Sequence, residues 1–154
     1  MGIETIEFTE VSDGATRPRR GTENSAGIDL AANKPFGIAP GQRWLVSTGL
    51  AVKLPRGTYG KLEPRSGLAA KFGIDPVSWF LEDTEKSVLA GVVDCDYRGE
   101  LKIVLRNTGD KYAMFKAGEF IAQMIVRDYV EAEVAMVSTL SESTRDGGFG
   151  HTDD

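Results

Sequence analysis

The sequence is poor in the residues that build several common kinds of functional site. Its 154 residues include one cysteine, Cys95, and one histidine, His151. An intrachain disulfide and a zinc site of cysteine and histidine ligands are therefore both excluded. No apolar run approaches the roughly 18–20 residues of a membrane span, and the acidic start, 1–10, is not typical of a signal peptide. We expect cytosolic surroundings, in a cell or in an infected host cell.

Basic residues are also scarce relative to acidic ones. Lys and Arg together number 18 against 23 Asp and Glu, which gives a net charge of −5. This balance argues against a general partner of nucleic acids or anionic membranes, both of which are bound by clustered Lys and Arg. The glycine-rich phosphate motifs of P-loop and Rossmann proteins are absent as well. Any phosphate site must therefore rest on a different arrangement.

Glycine is plentiful, with 18 residues where average usage of about 7% would give about 11. Short segments rich in β-branched and aromatic residues alternate with turn formers, which predicts an all-β barrel, sandwich or jelly roll. The predicted strands are Ile3–Val11, Ile28–Ala32, Arg43–Ser47, Leu50–Leu54, Thr58–Glu63, Val88–Val93, Glu100–Arg106, Tyr112–Phe115, Phe120–Val130 and Glu133–Val137. We expect one domain, 1–137, followed by a flexible arm, 138–154.

One helix is predicted over Ser66–Phe72, with Ser66 as its cap and Gly73 as its end. A second, weaker helix pattern covers Ser78–Lys86. The segment Pro64–Gly67 opens the first helix, where unpaired amides, a guanidinium and a hydroxyl suit an anion. The alternative is an ordinary helix cap with a surface arginine.

Asp94 follows two apolar residues and precedes a predicted hairpin turn, 96–99. A half-buried carboxylate there is a candidate general base. The alternative is that Asp94 and Asp96 bind turn amides, as aspartate does in turns. Cys95, between them, is expected to be a packed side chain rather than a nucleophile.

In the C-terminal arm, Arg145–Gly150 combines an arginine, an aromatic ring and three glycines. Glycine amides can close over an anion, and Phe149 offers a stacking face. The alternative is a disordered tail without a role.

Five segments of the chain, in order, resemble the motifs of the homotrimeric dUTP pyrophosphatase (dUTPase) family. They are Ser25–Leu30, Pro64–Ile74, Gly91–Glu100, Gly118–Met124 and Arg145–Thr152. The resemblance implies a distorted jelly-roll subunit with one short helix that assembles as a trimer. It implies Mg²⁺-assisted hydrolysis of dUTP to dUMP and pyrophosphate.

The resemblance also implies a role for individual residues. Asp94 would deprotonate the water that attacks the α-phosphorus, and Asp29 would touch the metal through water or position the arm. The residues implied to hold the phosphates are Arg65, Ser66, Gly67, Gln123 and, from the arm, Arg145. Mg²⁺ itself would be held mainly by the triphosphate.

For the nucleoside, the resemblance implies that the backbone around Gly91 and Val93, together with Lys102, pairs with the uracil edge. Tyr97 would pack against the deoxyribose and exclude a 2′-hydroxyl. Three arm residues complete the implied substrate contacts: Phe149, which would stack on uracil, Gly150 and Thr152. The arm would close over a site formed at subunit contacts.

Three departures from the family pattern stand out. Phe120 replaces a usual arginine, the fifth motif is one residue short between Arg145 and Gly147, and Pro76–Ser87 is a 12-residue insert. The insert is either a tolerated surface loop or, through Trp79 and its apolar neighbours, a contact for another subunit or protein.

Two other functions stay open at this point. A dCTP deaminase of the same fold would need a glutamate near Val104, and its absence argues against deamination. The altered fourth and fifth motifs also allow a nucleotide-sensing protein that binds without turnover.

Overall fold

The computed structural model describes residues 4–78 and 91–144. Those residues form twelve strands and one helix, which confirms the predicted all-β class. The elements are β1 (Glu7–Glu10), β2 (Arg19–Arg20), β3 (Ile28–Ala31), β4 (Phe36–Ile38), β5 (Arg43–Ser47), β6 (Leu50–Lys53), β7 (Thr58–Glu63), α1 (Ser66–Phe72), β8 (Ile74–Ser78), β9 (Val92–Asp94), β10 (Lys102–Asn107), β11 (Ala113–Phe115) and β12 (Phe120–Asp128).

The strands pair antiparallel in two larger sheets and two small ladders. The larger sheets have the orders β2-β3-β12-β7-β9 and β5-β10-β8, and the ladders pair β1 with β6 and β4 with β11. Their apolar faces enclose a single core that includes Leu30, Val46, Val93, Ile103, Leu105, Phe115 and Ile121. This is the jelly-roll arrangement expected from the sequence.

Strand β7 shows how the sheet separates the core from the functional surface. Burial alternates along its six residues, so that Thr58, Gly60 and Leu62 are buried while the residues between them are partly exposed. Alternation of this kind places successive side chains on opposite faces. We call the face that carries Tyr59, Lys61 and Glu63 the outer face of the five-stranded sheet.

Helix α1 has the predicted bounds but not the predicted cap. Arg65 is the N-cap residue, with an extended backbone, and no side chain caps the helix. The first helical bond runs from the amide of Ala69 to the carbonyl of Arg65 (2.9 Å), so Ser66 lies inside the first turn. Gly73 ends the helix with a φ of 66°, a left-handed conformation that favours glycine. Among the described residues, no helix is long and apolar enough to cross a membrane.

The hairpin predicted between β9 and the next strand is absent. Strand β9 pairs with β7, whereas β10 pairs with β5 and β8 in the other sheet. The turn after β9 is a tight one in which the Tyr97 amide donates to the Asp94 carbonyl (3.1 Å), and the chain then crosses between sheets. The few residues between β9 and β10 suggest a hairpin, but β9 pairs instead with β7, which is distant in sequence.

The strand predicted over Glu133–Val137 is also wrong for this subunit. Strand β12 ends at Asp128, and residues 129–144 lie outside the sheets. Val134 and Met136 are almost fully exposed, at 97% and 96%. The residue pattern suits a strand, but among the described residues this segment pairs with no strand edge of its own subunit.

Strands β2, β4 and β8 were not predicted. Strand β8 includes Pro76, the first residue of the insert, which lies opposite Leu105 where the register of the ladder shifts. Proline is tolerated at such an irregularity because β8 is an edge strand. Residues 79–87 of the insert, including Trp79, lie outside the described residues, as does the weaker helix prediction beyond Ser78.

Candidate active site

Five of the residues assigned by sequence line one cavity of about 550 Å³, which we call the phosphate cavity. They are Asp29, Arg65, Ser66, Gly67 and Gln123. Gly21, Ser25, Gly27, Leu68 and Glu119 complete its walls. The first, second and fourth motifs therefore meet in a single subunit, as the resemblance implied.

Arg65 is held in one orientation inside this cavity. Its Nε lies 3.3 Å from the Oδ1 of Asp29, and its Nη1 donates to the carbonyl oxygen of Phe120 (3.0 Å). Asp29 is only 8% exposed, so water screens the pair weakly. A guanidinium fixed by a carboxylate and a carbonyl is prepared to bind an oxyanion without losing side-chain entropy on binding.

Gln123 is fixed by a similar combination of contacts. Its Nε2 donates to the carbonyl oxygen of Pro64 (3.0 Å). Its strand neighbours are Asp29 on β3 and Glu63 on β7. A Cβ at Gly27 would overlap the Oε1 of Gln123, so the glycine makes room for this amide.

The carboxylate of Asp29, predicted to touch a metal through water or to position the arm, contacts Arg65 directly. The described residues contain no group of three or more His, Cys, Asp or Glu side chains that could hold a metal ion. Mg²⁺ often retains several waters and is bound through one or two carboxylates and substrate phosphates. The donors present suit an ion bound in that way, not a cage made of protein ligands.

Asp94 lies in a different cavity of about 860 Å³, which we call the Asp94 cavity. Its walls include Lys53, Arg56, Tyr59, Val92, Asp94, Asp96, Arg98, Tyr129 and Glu131. The prediction that Asp94 is half-buried is wrong. It is exposed on the outer face, at the end of an edge strand, while Val93 beside it is completely buried.

Strand β9 offers one backbone edge to a ligand. Its other edge pairs with β7, and the carbonyl oxygen of Gly91 accepts a hydrogen bond from the Leu62 amide (2.8 Å). In the sheet order, β9 has no further partner strand among the described residues. The side chain of Val93 faces the core, so only its backbone can serve a base. Lys102 begins β10 in the other sheet, opposite Ser47.

Tyr97 packs against the core just after Asp94. Its hydroxyl donates to the carbonyl oxygen of Glu100 (3.1 Å). Burial, with a smaller contribution from the Glu100 carboxylate, raises the pKa of the Tyr97 phenol. At the edge of the Asp94 cavity, removal from water and the neighbouring Cys95 and Glu131 raise the pKa of Tyr129. Both phenols are therefore neutral at physiological pH.

Asp94 and Gln123 are far apart within the subunit. Asp94 lies opposite Tyr59, which lies opposite Arg127, four residues beyond Gln123 on β12. At about 3.4 Å per residue and about 4.8 Å per strand, their Cα atoms are about 17 Å apart. A general base must come within about 3 Å of the proton it removes. Within one subunit Asp94 therefore lies well outside the phosphate cavity.

The remaining predicted residues and two missed ones complete the account. Arg145, Phe149, Gly150 and Thr152 lie outside the described residues. The sequence places Gly27 in the first motif but does not show its steric role beside Gln123. The available signal is a glycine directly before a predicted strand, at a position where no turn requires one. The sequence also does not indicate Arg19, the strand partner of Asp29, because a two-residue strand has no readable pattern.

Comparison with known proteins gives a consistent result. A deoxyuridine 5'-triphosphate nucleotidohydrolase of Paramecium bursaria Chlorella virus 1 is 44% identical over 151 residues, which cover 97% of this chain and 99% of that protein. The human mitochondrial enzyme of the same name is 39% identical over 153 residues, 99% of this chain and 56% of that protein.

Among solved structures, the fold is similar to a Staphylococcus bacteriophage 80alpha dUTPase with dUPNHPP. The TM-score is 0.75 at 23% identity, with 96% of this chain and 98% of that chain covered. The family model described as dUTPase matches residues 13–153. This chain therefore belongs to the dUTPase family.

Proposed function

We propose that the protein is a dUTP diphosphatase, which hydrolyses dUTP to dUMP and pyrophosphate. The observation that carries this function is the match to the dUTPase family model over 13–153. Two relatives named deoxyuridine 5'-triphosphate nucleotidohydrolase, 39% and 44% identical over nearly the whole chain, support it. The clustering of Asp29, Arg65 and Gln123 in one cavity supports it independently.

In the proposed reaction, Asp94 accepts a proton from a water molecule as the water oxygen bonds to the α-phosphorus. The bond from that phosphorus to the oxygen bridging the α- and β-phosphates then breaks, and pyrophosphate leaves with the electron pair. Arg65, Ser66, Gly67 and Gln123 bind phosphate oxygens. Positioned donors of this kind stabilise charge that develops in the transition state. Mg²⁺, when bound with the triphosphate, would neutralise part of the same charge.

We assign selection of the uracil base and the deoxyribose to the residues around Asp94, namely strand β9 and Tyr97. The unpaired edge of β9 supplies backbone donors and acceptors that suit a uracil edge, and Tyr97, which follows β9, would pack against the deoxyribose. A 2′-hydroxyl buried there without a partner would cost about 1–3 kcal/mol. We therefore expect UTP to be discriminated by roughly 5- to 150-fold. Phe149, Gly150, Thr152 and Arg145 of the arm would close over the nucleotide.

We also propose that the active unit is a homotrimer with sites shared between subunits. The separation of about 17 Å between the Cα atoms of Asp94 and Gln123 supports a site in which Asp94 acts on a triphosphate held by another subunit. The chain after β12 points to the same assembly, because Val130, Val134, Met136 and Leu140 are 87–97% exposed. A second copy of the chain can cover such a segment by pairing with it. The cytosolic location stays a prediction.

The deaminase alternative receives no support. Val104, where a catalytic glutamate would be required, is buried in β10 between Leu45 and Ser78 of the neighbouring strands. A buried valine cannot transfer protons. The choice between turnover and binding alone is left to experiment.

The first prediction concerns Asp94. Asp94→Asn should bind dUTP with little change, because the substitution keeps shape and hydrogen bonding, but should lose about 10²–10⁴ in kcat with the general base. Pyrophosphate release from dUTP, dCTP and UTP with Mg²⁺ is measured together with ammonia release, and binding is measured by calorimetry.

Asp110→Asn, an exposed turn residue, is the control with the same charge change and should keep full turnover. Retained turnover in Asp94→Asn would remove Asp94 from its role. Ammonia from dCTP would replace the proposed activity, and dUTP binding without any turnover in the unmodified protein would indicate a sensor.

A further inference from the structure

The ring of Phe120 lies close to two arginine side chains. The guanidinium carbon of Arg19 is 4.4 Å from the ring centroid, and that of Arg65 is 5.8 Å from it. Both distances fall within the range of about 6 Å in which a guanidinium is attracted to an aromatic face. The two guanidinium groups are therefore no more than about 10 Å apart, the sum of these distances.

The backbone explains how Phe120 reaches this position. The register of β12 against β3 shifts between Phe120 and Ala122, and both Ile121 and Ala122 are buried. Two successive residues thus face the core, as occurs at a β-bulge. The extra residue returns Phe120 to the outer face, on the side that carries Gln123.

Arg19 belongs to the same surface by strand register. It lies opposite Asp29, and Asp29 lies opposite Gln123. Residues directly opposite each other in antiparallel strands share a face. Arg19 therefore begins a row that continues through Asp29 and Gln123, which line the phosphate cavity, to Glu63. Arg19 itself lines a separate cavity, together with Arg17 and Arg20.

The charge of the phosphate cavity shows why a second cation matters. Its ionisable lining residues are Asp29, Glu119 and Arg65, which together carry a net charge of −1. Asp29 is also paired directly with Arg65, which reduces the attraction that Arg65 can exert. A polyphosphate is strongly negative, so this lining alone does not favour it.

We propose that Arg19 is a second phosphate-binding residue of this site, held in place by the ring of Phe120. Its ligand is the polyphosphate part of a nucleotide, so the inference rests on the proposed function and deepens it. A guanidinium stacked on a ring uses its face, and its N–H donors at the edge stay directed outward to bind oxygens. With both guanidinium groups close to the ring of Phe120, Arg65 and Arg19 would bind two phosphate groups of one ligand.

The test compares Arg19→Gln with Arg17→Gln. Both substitutions remove one positive charge from exposed positions two residues apart, but only Arg19 contacts Phe120 in the structure. The dissociation constant of pyrophosphate and the KM for dUTP are measured for each variant. The dissociation constant of dUTP is measured with each substitution in the Asp94→Asn background, which prevents turnover.

Arg19→Gln should weaken both ligands by about tenfold or more, the effect of losing a hydrogen bond to a charged group, and should reduce the salt dependence of binding. Its thermal midpoint should stay close to that of the unmodified protein. Arg17→Gln should change affinity less than twofold. Equal losses in the two variants, or no loss in Arg19→Gln, would overturn the inference.

Phe120→Leu tests the positioning step, because it removes the aromatic face but keeps an apolar side chain and the carbonyl that accepts from Arg65. It should weaken pyrophosphate binding in the presence of Arg19 and have no further effect in Arg19→Gln. An equal loss in both backgrounds would contradict the role of the ring. The pyrophosphate measurement also separates the two hypotheses, since it detects the Arg19 site even if dUTP were not the substrate.

Discussion

Arg65 and Asp94 are both required by the proposed reaction, but the subunit prepares them very differently. Arg65 lies in the phosphate cavity, fixed by Asp29 and by the carbonyl of Phe120. Asp94 lies exposed at the end of an edge strand. One group is complete within a single chain, whereas the other is presented to the outside.

This difference shows how the work of the site is divided. Phosphate binding needs several donors at fixed distances, and neighbouring strands β3 and β12 with the start of α1 supply them together. A general base needs only one oxygen close to one water. An edge strand can present that oxygen to a neighbouring subunit, so in the proposed trimer catalysis, unlike phosphate binding, would depend on assembly.

The largest expected effect comes from mixing two inactive variants. Arg65→Gln impairs the phosphate cavity, which we call the phosphate half of the site. Asp94→Asn impairs the part formed by Asp94, β9 and Tyr97, which we call the base half. If each site takes Asp94 from one subunit and Arg65 from another, co-expression in equal amounts should restore about one quarter of the normal sites, since half of the subunits carry each intact residue. The measurement is dUTP turnover per trimer of the co-purified mixture.

The control for this experiment is a mixture of the two variants purified separately and kept from exchanging subunits. It should show only the sum of their residual activities. Turnover of the co-expressed mixture at that same low value would contradict shared sites, and the distance between Asp94 and Gln123 would then need another explanation.

Much of the phosphate half could be predicted from the sequence because its signals are local. The bounds of α1 follow from a short helix-favouring run and Gly73, and those of β7 follow from strict alternation. The pairing of Arg65 with Asp29 could not be predicted, because the two residues are 36 positions apart and meet only through sheet register. Without that contact, the sequence predicts only that Asp29 touches a metal through water or positions the arm.

The base half was predicted less well because it depends on long-range pairing. The short separation of β9 from β10 suggested a hairpin, whereas β9 pairs with β7 and is left as an edge. The exposure of Asp94 follows from that edge position. The segment Glu133–Val137 shows the same limitation, since its pattern suits a strand but does not say which chain provides the partner.

An intermediate effect is expected from Gly27→Ala. The new methyl group would overlap the Oε1 of Gln123 and displace the amide from its bond to Pro64. Loss of one neutral hydrogen bond to phosphate should weaken dUTP binding by up to about tenfold. Binding is measured in the Asp94→Asn background, so that dUTP is not hydrolysed during the measurement.

The Gln123→Ala background provides the control for Gly27→Ala. Once the amide is removed, only the Cβ of residue 123 remains near the new methyl group, at 3.1 Å, and Gly27→Ala should cause little further loss of affinity. An equal loss in both backgrounds would mean that the substitution acts through the backbone, and the fixed orientation of Gln123 would not be what prepares the phosphate half.

The smallest effect is expected from Tyr97→Phe, in the base half. Removing the bond from the hydroxyl to the Glu100 carbonyl (3.1 Å) should lower the free energy of unfolding by about 0.5–1.5 kcal/mol at neutral pH. Because folding raises the phenol's pKa, the unfolded chain loses this proton first as pH rises above about 10. The contribution of Tyr97 to stability is therefore complete below that pH and declines above it.

Urea unfolding of both proteins at pH 8 and at pH 10.5 measures this change. The difference in free energy of unfolding between the unmodified protein and Tyr97→Phe should shrink at the higher pH. Turnover of dUTP at pH 8 should fall only slightly, because the ring proposed to pack against the sugar is retained. A large loss of turnover with unchanged stability would show that the hydroxyl itself acts on the substrate, and the base half would then be as closely prepared as the phosphate half.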